Sequence, residues 1–234
     1  MSNKQLARTA GLLYLVVVVT GMFSLAYVPS KLIVWDNPAE TFQRIAANTN
    51  LFRWGIASSV ICYTFFLFLP LVLYKLLQPV HKTYAQWMVV LAVVSVPISF
   101  VNLLNKFAAL SLVTGSDYLH NLPIEQLQGQ MMFYLDLYNS GILVVTVFWG
   151  LWLFPFGYLV YKSGFLPKIL GILLMAGCVG YLINFLGHTL SPAYSESGIS
   201  SMVRMPATLG EIGTCLWLLI MGAKERSVSA STVD

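Results

Sequence analysis

The sequence predicts an all-α polytopic membrane protein of six transmembrane helices, with an amphipathic outer segment between helices 1 and 2. Three observations predict this. Hydrophobic residues make up 58% of the 234 residues and charged residues 9%, with a mean hydropathy of +0.76. A soluble domain carries about 25% charged residues, so a water-facing surface built from this chain would be too apolar to stay dispersed. Disordered chains are poor in apolar residues, so disorder is excluded too. Second, the charges bound long uncharged runs, and each run is near the roughly 20 helical residues that cross a hydrocarbon core of about 30 Å. Third, the runs are continuously apolar and do not alternate, which argues against a membrane barrel. A helix is then the form that satisfies every backbone group in lipid.

The elements follow in order. Arg8 and Lys31 bracket the first run, Ala10 to Val28. It has the basic start of a secretory signal, but Ser24-Leu25-Ala26 is a poor cleavage site and more apolar residues follow, so an uncleaved first helix is expected. Pro29 to Asn50 is a long connection. Within it, Asp36 or Asn37 can cap a helix and Pro38 suits its first turn. Ala39, Phe42, Ile45 and Ala46 then share one face, which predicts an amphipathic helix along the outer interface. Arg53 and Lys75 bracket the second span, Lys82 and Lys106 the third, and Asp136 and Lys162 the fourth. Leu127, Met131, Met132 and Leu135 predict that the fourth helix begins before Asp136, above the membrane. The fifth span runs from Lys168 to about His188, and the sixth from about Met205 to Ala223, with Glu211 inside it. Pro70, Pro97 and Pro155 are candidate kinks. The links Gln78 to Thr83 and Lys162 to Pro167 are short, so their flanking helices are expected to be antiparallel. The expected organisation is one domain over residues 1–226 and a disordered cytoplasmic tail over 227–234.

Orientation follows from Lys and Arg. With the termini and even connections on one side, that side holds Lys4, Arg8, Lys75, Lys82, Lys162, Lys168, Lys224 and Arg226. The other holds Lys31, Arg44, Arg53, Lys106 and Arg204. The first side is expected to be cytoplasmic, in a bacterial inner membrane. The net charge of +4 therefore reads as topology, and no basic cluster is dense enough for nucleic acid. Cys62, Cys178 and Cys215 lie in apolar runs with no disulfide or zinc spacing and read as small core residues. Trp35, Trp54, Tyr63, Tyr74, Tyr84, Trp87, Tyr158 and Tyr161 read mainly as interface anchors, and Trp149 and Trp152 as core.

Three segments carry a likeness: Arg8-Thr9-Ala10-Gly11-Leu12-Leu13-Tyr14, then Phe165-Leu166-Pro167-Lys168-Ile169-Leu170-Gly171, then Gly210-Glu211 before Leu216-Trp217-Leu218-Leu219. Together they resemble the bacterial membrane family catalogued as domain of unknown function 4386, over about Leu6 to Ala223. The resemblance implies a six-helix membrane protein and brings no activity with it.

Ionisable and amide side chains inside spans are costly and mark candidate sites. Asn102, Asn105 and Lys106 share a face of the third helix, Asn184 and His188 a face of the fifth, and Arg204, Thr208 and Glu211 a face of the sixth. Counted from Ala223 at 1.5 Å per residue, Glu211 lies about 18 Å from the inner face. Asp136 sits at the mouth of the fourth helix. These residues predict a polar pocket open to the outer side that binds a small or lipidic ligand, with Glu211 as charge anchor and Lys106 and Arg204 meeting an anionic group. Ala207, Gly210 and Gly213, and Ala176 with Gly180, are the small residues that would bring neighbouring helices close.

Two other readings stand beside it. His188, Glu211 and Asp136 are ligand types for a divalent metal, which would give a membrane-embedded hydrolase, with Ser191, Ser195 and Ser197 near His188. No HExxH or similar spacing supports a metal, and no cofactor is expected. Alternatively Lys106 and Arg204 neutralise Asp136 and Glu211, the asparagines tie helices together, and the chain is a structural or accessory subunit. A transporter of this length would be expected to pair as a homodimer. Membrane lipid is the expected surrounding partner.

Overall fold

The computed structural model describes residues 2–115, 121–191, 193–194 and 197–223. The predicted tail over 227–234, and Ser195, lie outside the described residues. No strand occurs among the described residues. Seven helical segments follow the chain: α1 Asn3–Leu32, α2 Pro38–Ala47, α3 Thr49–Leu77, α4 Lys82–Thr114, α5 Ile124–Ser163, α6 Lys168–Leu190 and α7 Ile199–Ile220. All but α2 are long and apolar enough to cross a membrane. This is the fold class the sequence predicts, and the protein is a multi-pass membrane protein. Large apolar side chains such as Leu12, Val19, Val90, Val101, Phe133 and Ile169 are exposed. That is the surface a lipid-facing helix requires and a soluble one avoids.

Several span ends differ from the sequence reading. Lys106 does not end α4, which continues to Thr114. Helix α5 begins at Ile124, well before Asp136 as Leu127, Met131, Met132 and Leu135 predict, with Met131, Met132 and Leu135 buried. Helix α7 begins at Ile199, six residues before Met205, so Glu211 lies near its middle. A charge marks a span end only when water is its cheapest surroundings, and each of these helices continues past its charge.

Two compact units group the chain. One comprises Met1–Leu15, Leu69–Val90 and Gly150–Asp234; the other comprises Val16–Phe68 and Leu91–Trp149. In the second unit, Val28, Leu32, Ile45, Phe52, Leu103, Met131 and Leu135 form one buried cluster. Helix α2 belongs to this core. Asn37 caps it by accepting from the Glu40 N–H at 3.0 Å, and Pro38 opens it, as predicted. Ile45 is buried and Ala46 exposed, while Thr41 is fully buried, its hydroxyl bonded to both the N–H and the C=O of Val34 at 2.9 Å.

In the first unit, Leu69, Leu73, Leu77, Met88, Trp152, Phe156, Leu174 and Leu218 are buried. Trp152 stacks on Phe156 at 5.1 Å. Small residues set the close approach of α6 to α7. A Cβ built on Gly177 would stand 2.7 Å from the Ala207 backbone, and one on Gly180 would overlap the Val203 carbonyl oxygen. Gly177, not Ala176, joins Gly180 in this contact, since Ala176 is exposed.

Helix α1 is broken. Phe23–Tyr27 forms a π-helical turn, and Val28 N–H bonds to the Phe23 carbonyl. Pro29 follows and has no N–H to give. The Ser24 carbonyl thus loses its usual donors four and five residues on. In lipid such a group must find another partner.

Candidate functional site

Lys106 supplies that partner. Its Nζ donates to the Ser24 carbonyl at 3.3 Å and lies 4.3 Å from the centre of the Tyr138 ring. Lys106 is only 3% exposed, yet among the described residues it forms no ion pair. Lys106 also lines a small, almost wholly apolar recess, whose other walls are Val28, Pro29, Leu32, Ile33 and Phe52. Lys106 is the one charged side chain in that lining.

Amides hold the neighbours of Lys106 in place. Asn102 is buried and its Nδ2 donates to the Tyr138 carbonyl at 2.9 Å. Asn105 Nδ2 donates to the backbone and side-chain oxygens of Asn102, each at 3.1 Å. A Cβ on Gly141 would overlap the Asn102 amide, so glycine there makes room for it. Ser95, Ser99, Asn102 and Lys106 are all buried and fall on one face of α4. The buried polar stripe is thus longer than the sequence reading, which began it at Asn102. Tyr63 also belongs here: it is buried, with its hydroxyl 3.3 Å from that of Tyr138. It is not an interface anchor, because it sits midway along α3 and its hydroxyl finds a partner inside the protein.

The other unit holds a second polar set. Tyr14 Oη donates to Glu211 Oε1 at 3.3 Å, and Tyr181 faces the same carboxylate. Asn184 is buried; its Nδ2 donates to the Ser200 carbonyl at 3.2 Å, and its Oδ1 accepts from Tyr194 Oη at 3.0 Å. His188 Nε2 lies 3.3 Å from Ser200 Oγ, and its ring meets Tyr194 edge-on at 5.1 Å. Among the described residues, Ser200 places its hydroxyl beside His188.

The expected pocket residues therefore form two sets: Asn102, Asn105 and Lys106 in one unit, and Asn184, His188 and Glu211 in the other. Arg204 and Thr208 share the Glu211 face of α7 but are exposed. Asp136 is exposed and makes no hydrogen bond or ion pair among the described residues. The expected neutralisation of Asp136 and Glu211 by Lys106 and Arg204 does not occur; among the described residues the ion pair is Arg44 with Glu40, at 2.6 Å on α2. Nor are His188, Glu211 and Asp136 gathered as metal ligands: no group of three His, Cys, Asp or Glu side chains that could hold an ion exists among the described residues. Sequence reasoning missed Ser24, Tyr138, Tyr14 and Tyr181 as partners. The available signal was tyrosine in the middle of a span, where the ring is apolar but the hydroxyl needs a bond.

Comparison with known proteins gives the family but no activity. The model of the family described as a domain of unknown function, DUF4386, matches residues 9–222. An uncharacterised protein of the archaeon Archaeoglobus fulgidus is 38% identical over 78 residues, 33% of this chain. The match spans 44% of that relative's length. No solved structure matches. With the family match over nearly the whole chain and six membrane-crossing helices in place, the protein belongs to the DUF4386 family.

Proposed function

We propose that this protein binds a small or lipidic ligand with an anionic group, seated beside Lys106. The carrying observation is a buried lysine that lines a recess and has no ion pair among the described residues. An ammonium has three donors, and the Ser24 carbonyl takes one. A buried charge is costly unless compensated. An anionic group in the recess would complete the shell, and Val28, Leu32 and Phe52 would meet hydrocarbon. The broken α1 beside it fits this reading, since interrupted helices line binding sites in many transporters. The excess of Lys and Arg on the side of the termini favours a cytoplasmic location for both, and hence a recess facing outward from a bacterial cytoplasmic membrane.

Native mass spectrometry of the gently extracted protein tests this. The wild type should carry a discrete extra mass, and Lys106→Met should lose it while keeping its helix content. A bare wild-type mass overturns the reading. It would then favour the second one, a structural or accessory subunit, which the Lys106–Ser24 bond supports independently: there the lysine ties α4 to the break in α1.

A further inference from the structure

We infer that Glu211, Tyr14 and Tyr181 form a proton-binding site inside the membrane, independent of the Lys106 recess. Three observations carry it. Glu211 lies twelve residues from the start of α7 and nine from its end, at least about 13 Å from either at 1.5 Å per residue. Its immediate polar neighbours are hydroxyls rather than cations: Tyr14 Oη at 3.3 Å from α1, and Tyr181 from α6. Among the described residues Glu211 forms no ion pair with Lys, Arg or His.

The other charged or titratable groups nearby do not change this. Arg204 lies two turns away on α7, exposed and without an ion pair among the described residues, and its charge is felt at Tyr181 rather than at Glu211. Cys215, one turn on, directs its Sγ to the Gly11 carbonyl at 3.7 Å. Trp152, 6.4 Å from the Tyr14 ring, does not titrate. Small residues bring the helices close on either side of Glu211, which is itself half-buried. A Cβ on Gly210 would stand 3.0 Å from the Leu174 backbone nitrogen, and Gly11 packs directly on the Leu219 backbone.

A carboxylate at this depth with no countercation gains from holding a proton. The hydroxyls suit both states, since a tyrosine O–H can donate or accept. Toward the carboxylate, both hydroxyls can donate. Toward the carboxylic acid, Tyr14 can still donate to one oxygen while the acid O–H donates to Tyr181. One proton arrives or leaves, and no side chain loses its partner.

Infrared spectroscopy of the full-length protein in lipid vesicles tests the inference. The difference between wild type and Glu211→Gln isolates the carboxyl band of this one residue. The protonated C=O stretch should be present at neutral pH and give way reversibly to the carboxylate bands in alkaline buffer. It should persist when sodium chloride replaces potassium chloride. Tyr14→Phe, which removes a donor to the charged form, should carry the protonated band to higher pH. Should Glu211→Gln fail to fold, Glu211→Asp keeps a carboxyl and should move the band without abolishing it. A carboxylate at neutral pH, a band that never titrates, or a band replaced by carboxylate on adding sodium would each overturn the proposal. None of these outcomes bears on Lys106.

Discussion

At the scale of residues, the polar positions were legible and their partners were not. Asn102, Asn105, Lys106, Asn184 and Glu211 stand out in sequence because an amide or a charge in an apolar run is costly. Their partners are a backbone carbonyl at a helix break and tyrosine rings or hydroxyls, and no spacing rule points to those. Tyr63 shows the same limit, since tyrosine reads alike at an interface and in a core. Glycines divide more sharply. Gly180 meets the Val203 carbonyl oxygen, whereas a Cβ on Gly129 would meet nothing within 4 Å. Gly180→Ala should therefore destabilise the protein by about 1–3 kcal/mol through overpacking. Gly129→Ala, on an exposed turn of α5, should stabilise it by about 0.5–1 kcal/mol through helix propensity. Thermal unfolding of both variants in one detergent should give shifts of opposite sign. Equal shifts would mean that the α6–α7 approach is looser than described.

At the scale of elements, the local chemistry of α2 was readable because a cap is a matter of neighbours: Asn37, Pro38 and Glu40 lie within four positions. The break in α1 was not, although Pro29 was visible. It needs Val28 N–H to turn to the Phe23 carbonyl, and it needs an ammonium from α4, 82 residues away in sequence. Sequence alone ends a span at Lys106 for the same reason: a lysine bonded to an orphaned carbonyl and set against a ring can stay buried while its helix runs on. The link between Pro29 and Lys106 is open to a double-mutant cycle. Pro29→Ala returns an N–H that Ser24 can use. Lys106→Met should then cost less stability in the Pro29→Ala background than in the wild type, by on the order of 1 kcal/mol. Additive effects would show that Lys106 is not held by the helix break.

At the scale of the whole molecule, the fold was legible because the bilayer imposes one length and one backbone solution on every span. Six such spans make an even number, which predicts both ends of the described chain on one side. Single cysteines test this directly, since Cys62, Cys178 and Cys215 are free but buried and can be replaced by alanine or serine at modest cost. Ser2, Lys82 and Lys162 are exposed and lie before α1, at the start of α4 and at the end of α5. Asp36, Asn121 and Ser197 are exposed in the three alternate connections. A membrane-impermeant maleimide should label the second set in right-side-out vesicles and the first set in inverted ones, as the Lys and Arg excess directs. The reverse pattern would keep six spans and invert the orientation. Labelling of Ser2→Cys and Asp36→Cys from the same side would mean that α1, broken at Pro29, enters the membrane without crossing it, and the count of six would fall.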